Sequence, residues 1–262
     1  MSASRAGAHS STDATDATGM TGISEVTDAT HARHAARASN RVQPAELVAE
    51  LLGSLSAARH GGRTLLGVTG APGAGKSTLA RHLVSEVNRA AGPGTAAYVP
   101  MDGFHLSNVQ LDRLGLRDRK GSPPSFDVHG YVALLQRLAA DRFQDIYVPD
   151  FDRELDEPVA ARHLVTPSTR LVVTEGNYLA AEAPGWSAAR VLLREVWYLE
   201  ADDEIRAERL ISRQLNGGRD RRGAVAWVDS NDQPNGEYVK LSRERCTRII
   251  QLAEFAAAAD EE

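Results

Sequence analysis

A glycine-rich loop at residues 70–77, with the sequence Gly-Ala-Pro-Gly-Ala-Gly-Lys-Ser, is the most restrictive feature of this chain. It follows the short apolar run Leu65–Thr69, whose composition is typical of a buried strand. After the loop, apolar residues recur at helical spacing at Leu79, Leu83, Val84 and Val87. A strand, a glycine loop and a helix in this order are the context in which the pattern G-x-x-x-x-G-K-[ST] binds phosphate. A chance Lys-Ser pair in a glycine-rich turn is the alternative, and both flanks argue against it.

The loop predicts a nucleoside triphosphate as the ligand. Its glycines let the backbone wrap around a phosphate chain and direct N–H groups inward. Lys76 would reach the β- and γ-phosphates, and the Ser77 hydroxyl would bind Mg²⁺. We therefore expect ATP and Mg²⁺, although the sequence leaves the choice among nucleotides open. The expected nucleotide-binding residues are Gly70, Gly73, Ala74, Gly75, Lys76, Ser77 and Thr78.

Composition narrows the class of protein further. The chain has 262 residues, of which 42% are hydrophobic, so a single domain can bury a sizeable core. A net charge of −5 argues against nucleic acid as the main partner, because phosphate backbones require a basic face. The single cysteine, Cys246, excludes a disulfide framework and fits a reducing compartment. No apolar run approaches the length of a membrane span, so we expect a soluble, cytoplasmic protein with no membrane partner.

The first part of the chain differs in kind from the rest. Residues 1–40 are dominated by Ala, Ser, Thr, Asp, His and Arg, and are predicted to form a disordered, low-complexity tail. Residues 41–262 are predicted to form the folded domain. A transit peptide is the alternative for the tail, but its acidic residues argue against one. The sequence leaves open whether Met20 is the true start.

The folded part alternates between helix and strand patterns. Such alternation predicts an α/β fold, in which helices cover both faces of a parallel sheet. Ligands of such sheets gather where the strands end, and the glycine loop, Asp102 and Glu175 all follow predicted strands. Besides Leu65–Thr69, the strands are expected at Ala96–Pro100, Leu171–Thr174, Glu195–Leu199 and Arg248–Leu252, and an extended segment at Ile146–Phe151.

Two carboxylates at strand ends are candidates for chemistry. Asp102 could accept a proton from a substrate hydroxyl while that oxygen attacks the γ-phosphorus. Its alternative role is that of a turn residue that caps local N–H groups. Glu175 could hold the metal or a water bound to it, and its alternative is a carboxylate that faces solvent.

An arginine-rich segment, Arg206–Arg222, surrounds a Gly-Gly pair and predicts a mobile lid over the phosphates. Arg209 and Arg213 are the candidates for stabilising the transferred charge. A solvated, charged helix is the alternative, and it is the stronger reading for Arg206. The acceptor substrate would need hydroxyl-binding groups and a stacking wall. The candidates for this site are His105, Asp127, Phe151, Asp152 and Arg153.

Five segments in this order resemble the family of small-molecule kinases that includes uridine kinase, phosphoribulokinase and bacterial pantothenate kinase. They are Gly70–Ser77, Met101–His105, Lys120–Asp127, Val148–Asp152 and Thr174–Tyr178. The resemblance covers about residues 65–252 and is most similar to the bacterial nucleoside/nucleotide kinase-like or sugar kinase-like members. It implies a five-stranded parallel sheet, Asp102 as the catalytic base, Asp127 as a ligand of sugar hydroxyls, Phe151 in the substrate pocket, and Arg209 and Arg213 in the lid.

The sequence therefore predicts an ATP- and Mg²⁺-dependent kinase that phosphorylates a hydroxyl of a small metabolite. A homodimer is expected, because several members of the family form dimers or tetramers. The competing class is a non-catalytic or regulatory nucleotide-binding module, although the guanine-reading pattern Asn-Lys-x-Asp is absent. His105 stands where nucleoside kinases often carry Tyr, so the acceptor stays open among nucleosides, sugars, pantothenate-like alcohols and glycerate-like acids.

Overall fold

The computed structural model describes residues 41–57 and 62–253. The predicted tail, residues 1–40, lies outside the described residues. Within them the helices are α1 (Pro44–Ala57), α2 (Lys76–Ala91), α3 (Asn108–Leu114), α4 (Val128–Ala140), α5 (Trp186–Leu192), α6 (Asp203–Asn216), α7 (Arg221–Trp227) and α8 (Gln233–Lys240). The strands are β1 (Thr64–Thr69), β2 (Ala96–Pro100), β3 (Ile146–Asp152), β4 (Glu157–Val165), β5 (Leu171–Glu175), β6 (Glu195–Glu200) and β7 (Arg248–Gln251). None of the helices in this part of the chain is long and apolar enough to cross a membrane.

Five of the strands form one parallel sheet in the order β2-β5-β1-β6-β7. β1 lies at its centre, where Val68 is paired with Glu175 of β5 and with Trp197 of β6. The last strand, β7, pairs with β6 and completes one edge of the sheet. The predicted α/β fold with a five-stranded parallel sheet is therefore confirmed.

Helices cover the two faces of this sheet because successive strand residues point to opposite sides. On β1, Leu65 packs with the apolar residues of α4 and α5, whereas its neighbour Leu66 packs with those of α1 and α2. Both leucines are at most 3% exposed. Each face therefore has its own apolar cluster, and the strands read as continuous hydrophobic runs because both of their faces are buried.

A second, two-stranded sheet stands beside the first. The extended segment predicted at Ile146–Phe151 is β3, which pairs antiparallel with β4. β4 was not predicted from the sequence, because most of its residues are exposed or half-buried and show no clean alternation. This hairpin approaches the chain that leaves β2: a Cβ at Gly103 would lie only 2.4 Å from the carbonyl oxygen of Pro149. Glycine at position 103 thus lets the hairpin reach the carboxyl end of the large sheet.

Candidate active site

The glycine loop connects β1 to α2, as its flanks predict. Gly70 has a φ of +153°, and a Cβ there would lie 2.4 Å from the carbonyl oxygen of Leu199 on β6. Gly73 has a φ of +80°, and a Cβ there would lie 2.8 Å from the carbonyl oxygen of Arg206 on α6. A side chain at either position would strain the backbone and collide with a neighbouring element. The loop is thus held tightly between β6 and α6.

Lys76 begins α2 and is 7% exposed. Its Nζ atom donates a hydrogen bond to the carbonyl oxygen of Ala71, at 3.2 Å. Burial lowers the pKa of Lys76 to about 8, although the negative charges of Glu175 and Asp102 oppose this shift. A buried ammonium group with so little compensation is suited to bind phosphate oxygens.

Glu175 ends β5 and is 2% exposed. The hydroxyls of Ser77 and Tyr98 both donate to its Oε1 atom, at 2.9 and 2.8 Å. Burial raises the pKa of Glu175, and the nearby charge of Asp102 adds to the shift. A cation at this position would therefore stabilise the ionised form. The pairing of the Ser77 hydroxyl with a buried carboxylate fits a Mg²⁺ site, since Mg²⁺ in nucleotide sites binds one or two protein oxygens and completes its shell with phosphate and water.

Asp102 lies in a short 3₁₀ turn, Met101–Phe104, directly after β2. Its main-chain carbonyl accepts a hydrogen bond from the backbone N–H of His105 at 3.1 Å, which fixes the turn. Its carboxylate lines the cavity, and within residues 41–57 and 62–253 it has no ion pair or hydrogen bond. The side chain is therefore not occupied as a local cap, which was the alternative reading of this aspartate.

These groups meet in a polar cavity of about 230 Å³ at the carboxyl ends of β1, β2 and β5. It brings together many of the residues that the sequence singled out. The predicted residues that line it are Gly73, Gly75, Lys76, Ser77, Thr78, Asp102, Phe151, Arg153, Glu175 and Arg213. Gly70, Ala74, His105, Asp127, Asp152 and Arg209 do not line it.

Two predicted substrate carboxylates hold local backbone instead. Asp127 is the N-cap of α4, where its Oδ1 accepts from the N–H of Gly130 at 2.8 Å. In Asp152, Oδ1 accepts from two N–H groups of the hairpin turn, those of Glu154 and Leu155, at 3.0 Å each. The remaining oxygen of Asp152 is 3.4 Å from Arg162. Both side chains therefore fix the elements that carry the cavity and do not face into it.

His105 supports the cavity wall from behind. Its ring lies between Phe126 and Phe151, with centroid separations of 4.0 and 4.7 Å. Its Nδ1 atom is 2.7 Å from the carbonyl oxygen of Asp102, an acceptor to which this nitrogen must donate. Burial lowers the pKa of His105 and favours the neutral ring. His105 thus positions Asp102 and Phe151, the two neighbours that do line the cavity.

The arginines of α6 divide into three environments. Arg213 lines the cavity. Arg209 lies outside it, where its Nη1 donates to the carbonyl oxygen of Gly73 at 3.2 Å. Arg206, for which a solvated role was expected, is 1% exposed, and its Nε donates to the carbonyl oxygen of Pro72 at 2.8 Å. That expectation was wrong, because Arg206 packs beneath the glycine loop, where it fastens α6.

Three cavity residues were missed from the sequence. Asp150 precedes Phe151 on β3 and accepts from His163 at 2.8 Å, with Arg81 of α2 at 3.9 Å. Burial is the largest single influence on the pKa of Asp150 and raises it. His163, the N–H of Phe151 and Arg81 together outweigh burial, so the pKa is lowered. Arg81 and Tyr98 also line the cavity. Asp150 lies within Val148–Asp152, one of the five segments that resemble the kinase family. Arg81 lies within a helix and Tyr98 within a strand, and nothing in the local sequence pattern distinguishes either as a site residue.

Comparison with known proteins places the chain among kinases, although no family model matches it. It is 32% identical over 188 residues to the Schizosaccharomyces pombe protein named "Putative uridine kinase C227.14", which covers 70% of this chain and 80% of that protein. It is also 32% identical over 205 residues to the uncharacterized Escherichia coli protein YggC, covering 78% and 84% of the two chains.

Solved structures agree with this placement. The crystal structure of a "putative fructose transport system kinase" from Silicibacter sp. TM1040 is 35% identical, covers 79% of this chain and 98% of that chain, and has a TM-score of 0.72. The structure of Saccharomyces cerevisiae YFH7, described as "a putative P-loop containing kinase with a circular permutation", shares the fold at 20% identity. It covers 82% of this chain and 100% of that chain, with a TM-score of 0.71. The chain is therefore a member of the uridine kinase-like family of P-loop kinases.

Proposed function

We propose that this protein transfers the γ-phosphoryl group of ATP to a hydroxyl of a small metabolite. The observation that carries the proposal is the position of the Asp102 carboxylate. It has no partner among the described residues and lines the same cavity as Lys76, Ser77 and Glu175. A free carboxylate opposite a phosphate-binding loop is the arrangement that a hydroxyl-activating base requires.

The residues of the cavity divide the work of the transfer. The glycine loop and Lys76 bind the phosphate chain and orient the γ-phosphorus. Asp102 accepts the proton of the acceptor hydroxyl as the new bond forms between that oxygen and the γ-phosphorus. The bond between the γ-phosphorus and the bridging oxygen breaks at the same time, and ADP keeps that electron pair. Arg213 and Lys76 balance the negative charge that develops on the transferred group.

Ser77 and Glu175 are the residues that would hold Mg²⁺, Ser77 through its hydroxyl and Glu175 directly or through a water. When bound, Mg²⁺ neutralises phosphate charge and polarises the γ-phosphorus. Within the described ranges there is no group of three or more His, Cys, Asp or Glu side chains that could hold a metal. The site therefore suits a metal that arrives with the nucleotide rather than one held by a protein cage.

The proposal also includes the acceptor-binding residues, the localisation and the oligomeric state. Phe151 and Arg153 line the cavity beside Asp102 and are the proposed acceptor-binding residues. Two of the relatives carry names that refer to uridine and to fructose, which are neutral compounds with hydroxyl groups. These names describe those proteins. Cytoplasmic localisation and a homodimer stay predictions from the sequence.

The test is ADP release by the purified protein with ATP, Mg²⁺ and a panel of nucleosides, sugars, pantothenate-like alcohols and hydroxy acids. One acceptor should raise turnover well above the background with water. We expect Asp102→Asn to lower kcat for that acceptor by about 100- to 10,000-fold, because the base is lost, while the Kd for ATP stays within about twofold. Unchanged turnover in this variant would remove Asp102 from the mechanism.

Asp118→Asn is a matched control, because this exposed aspartate lies in the loop after α3 and does not line the cavity. It should leave kcat unchanged. Tight ATP binding with no turnover for any acceptor would favour the alternative of a nucleotide-binding module that does not catalyse transfer.

A further inference from the structure

Arg153 stands in the turn between β3 and β4 and lines the cavity next to Phe151. Within the described part of the chain its guanidinium has no ion pair, hydrogen bond or ring contact. Arg153 is an exposed residue, and the acidic residues of the hairpin around it do not pair with it. A cavity-lining guanidinium without a partner is a ready binding group for an anion.

The neighbouring acids are all engaged elsewhere or face away from the cavity. Asp152 binds the backbone of the turn and Arg162. Asp156 pairs with Lys120 at 2.8 Å, and Glu157 accepts from the N–H of Asn108 at 3.0 Å. The one remaining acid of the turn, Glu154, is exposed and does not line the cavity. The hairpin thus presents Arg153 to the cavity and uses its acids to fix its own shape.

A second unpaired arginine lies near Arg153. Arg213 of α6 also lines the cavity, and its guanidinium has no ion pair or hydrogen bond among the described residues. Removal from bulk water and the charge of Arg153 both lower the pKa of Arg213. Two guanidinium groups that repel each other across a cavity favour negatively charged ligands. The proposed function assigns Arg213 to the transferred phosphoryl group, which leaves Arg153 for the other substrate.

The carboxylates of the cavity are poorly placed to recognise a neutral polyol. A neutral sugar needs free acceptor oxygens for its hydroxyls. Oε1 of Glu175 already accepts from Ser77 and Tyr98, and the proposed function assigns this carboxylate to Mg²⁺. In Asp150, Oδ1 accepts from the N–H of Phe151 and Oδ2 accepts from His163. Asp102 is the one cavity carboxylate without a partner among the described residues, and the proposed function assigns it to the reacting hydroxyl.

We propose that the acceptor is a hydroxylated anion, a hydroxy acid or a sugar phosphate, whose negative group binds Arg153. This rests on the proposed kinase function and names its substrate class. Arg153 then sets the orientation in which the hydroxyl of the acceptor reaches Asp102. The anion would also relieve the repulsion between Arg153 and Arg213.

The test compares acceptors in matched pairs of anion and neutral compound: glycerate with glycerol, pantothenate with pantothenyl alcohol, gluconate with glucose, and fructose 6-phosphate with fructose. We expect turnover for an anionic member and little for its neutral partner. Arg153→Gln should lower kcat/KM for that anion by about 10- to 100-fold, as expected for a lost charge-assisted contact, with the KM for ATP within about twofold. Equal turnover of neutral partners, or a variant that affects only the KM for ATP, would overturn the proposal.

Arg162→Gln is the matched control, because Arg162 lies on the same hairpin but does not line the cavity. It should keep the preference for anions. Arg153→Lys should restore part of it. The pairs also distinguish a carboxylate from a phosphate as the negative group, because glycerate and gluconate carry a carboxylate and fructose 6-phosphate carries a phosphate.

A binding measurement keeps the inference testable if no compound is phosphorylated. Protein loaded with Mg²⁺ and a non-hydrolysable ATP analogue is titrated calorimetrically with glycerate and with inorganic phosphate. Binding by the wild type that Arg153→Gln abolishes supports the anion site even where the kinase function fails. Absence of binding to the wild type, or equal binding to both proteins, overturns it. Phosphorylation of neutral acceptors alone would instead uphold the kinase function and reject this substrate class.

Discussion

At the scale of single residues, the most unusual charged group of the site is the ammonium of Lys76. Its ammonium group is buried, and the backbone carbonyl of Ala71 is its hydrogen-bond partner. Burial brings its pKa down to about 8, close to physiological pH. A bound triphosphate supplies the negative charge that this group lacks, so the nucleotide and a proton should bind together.

We therefore predict that ATP binding weakens as the pH rises through about 8. Below that pH Lys76 is charged before binding, and above it the nucleotide must draw in a proton. The Kd of an ATP analogue, measured by calorimetry from about pH 7 to about pH 9.5, should rise towards tenfold per pH unit at the upper end. Lys76→Ala should bind weakly and show a flat profile. A flat profile in the wild type would contradict a depressed lysine pKa.

At the scale of elements, the segment between α7 and α8 has an unusual backbone. Residues 228–232 form a π-helical turn, a form that is rare and often found at functional sites. Asn231 donates to the carbonyl oxygen of Lys120 at 2.9 Å, and the buried Oδ2 of Asp232 has no hydrogen-bond partner in the part of the chain that the structure describes. Burial raises the pKa of Asp232 to about 6, against the opposing charges of Arg213, Arg206 and Arg219.

The raised pKa of Asp232 predicts that stability depends on pH. Its folded pKa lies above that of the unfolded chain, so the folded state loses stability as the pH rises through about 6 and the carboxyl ionises. Asp232→Asn should raise the free energy of unfolding by about 1–3 kcal/mol at pH 8, and by progressively less towards pH 4. Urea denaturation at several pH values measures this.

The control for that variant is Asp229→Asn, which changes an exposed aspartate of the same turn. It should leave the pH dependence of unfolding as in the wild type. A gain for Asp232→Asn that is equal at all pH values would mean that the stabilising effect comes from packing and not from the removal of a buried charge.

At the scale of the whole molecule, the cavity is where distant parts of the chain converge. The glycine loop, the turn after β2, the β3–β4 hairpin, the end of β5 and α6 each contribute residues to it. Arg206 fastens α6 to the glycine loop through the carbonyl oxygen of Pro72. A ligand that spans these parts should therefore stabilise the fold as a whole.

We predict that saturating ATP with Mg²⁺ raises the melting temperature by about 5–10 °C, which corresponds to about 2.7 kcal/mol at a ligand concentration of 100 times the Kd. Chelation of Mg²⁺ with EDTA should remove most of this shift. Asp102→Asn should keep it, because its role is in transfer, whereas Lys76→Ala should lose it. Scanning calorimetry measures the melting temperature of the wild type with Mg²⁺, of the wild type with EDTA, and of the two variants. An equal shift with and without Mg²⁺ would contradict the metal roles of Ser77 and Glu175.

The sequence by itself determined the phosphate loop, the parallel sheet and the positions of Asp102 and Glu175 at strand ends. These features depend on residues that are neighbours along the chain: a strand, three glycines and a helix in order, or an apolar run followed by an acid. Steric limits on the backbone and the burial of both faces of a strand act over such short spans. For that reason the fold and the family could be predicted from the sequence, and the observed sheet and the relatives confirm them.

Only the tertiary structure decided which polar side chains face the cavity. Asp127 and Asp152 are bound by N–H groups of their own turns, while Arg206 is buried under a loop more than 130 residues away. Asp150, Arg81 and Tyr98 enter the site through β3, α2 and β2. The direction of a polar side chain depends on which hydrogen-bond partners lie within about 3 Å of it, and long-range packing brings those partners there.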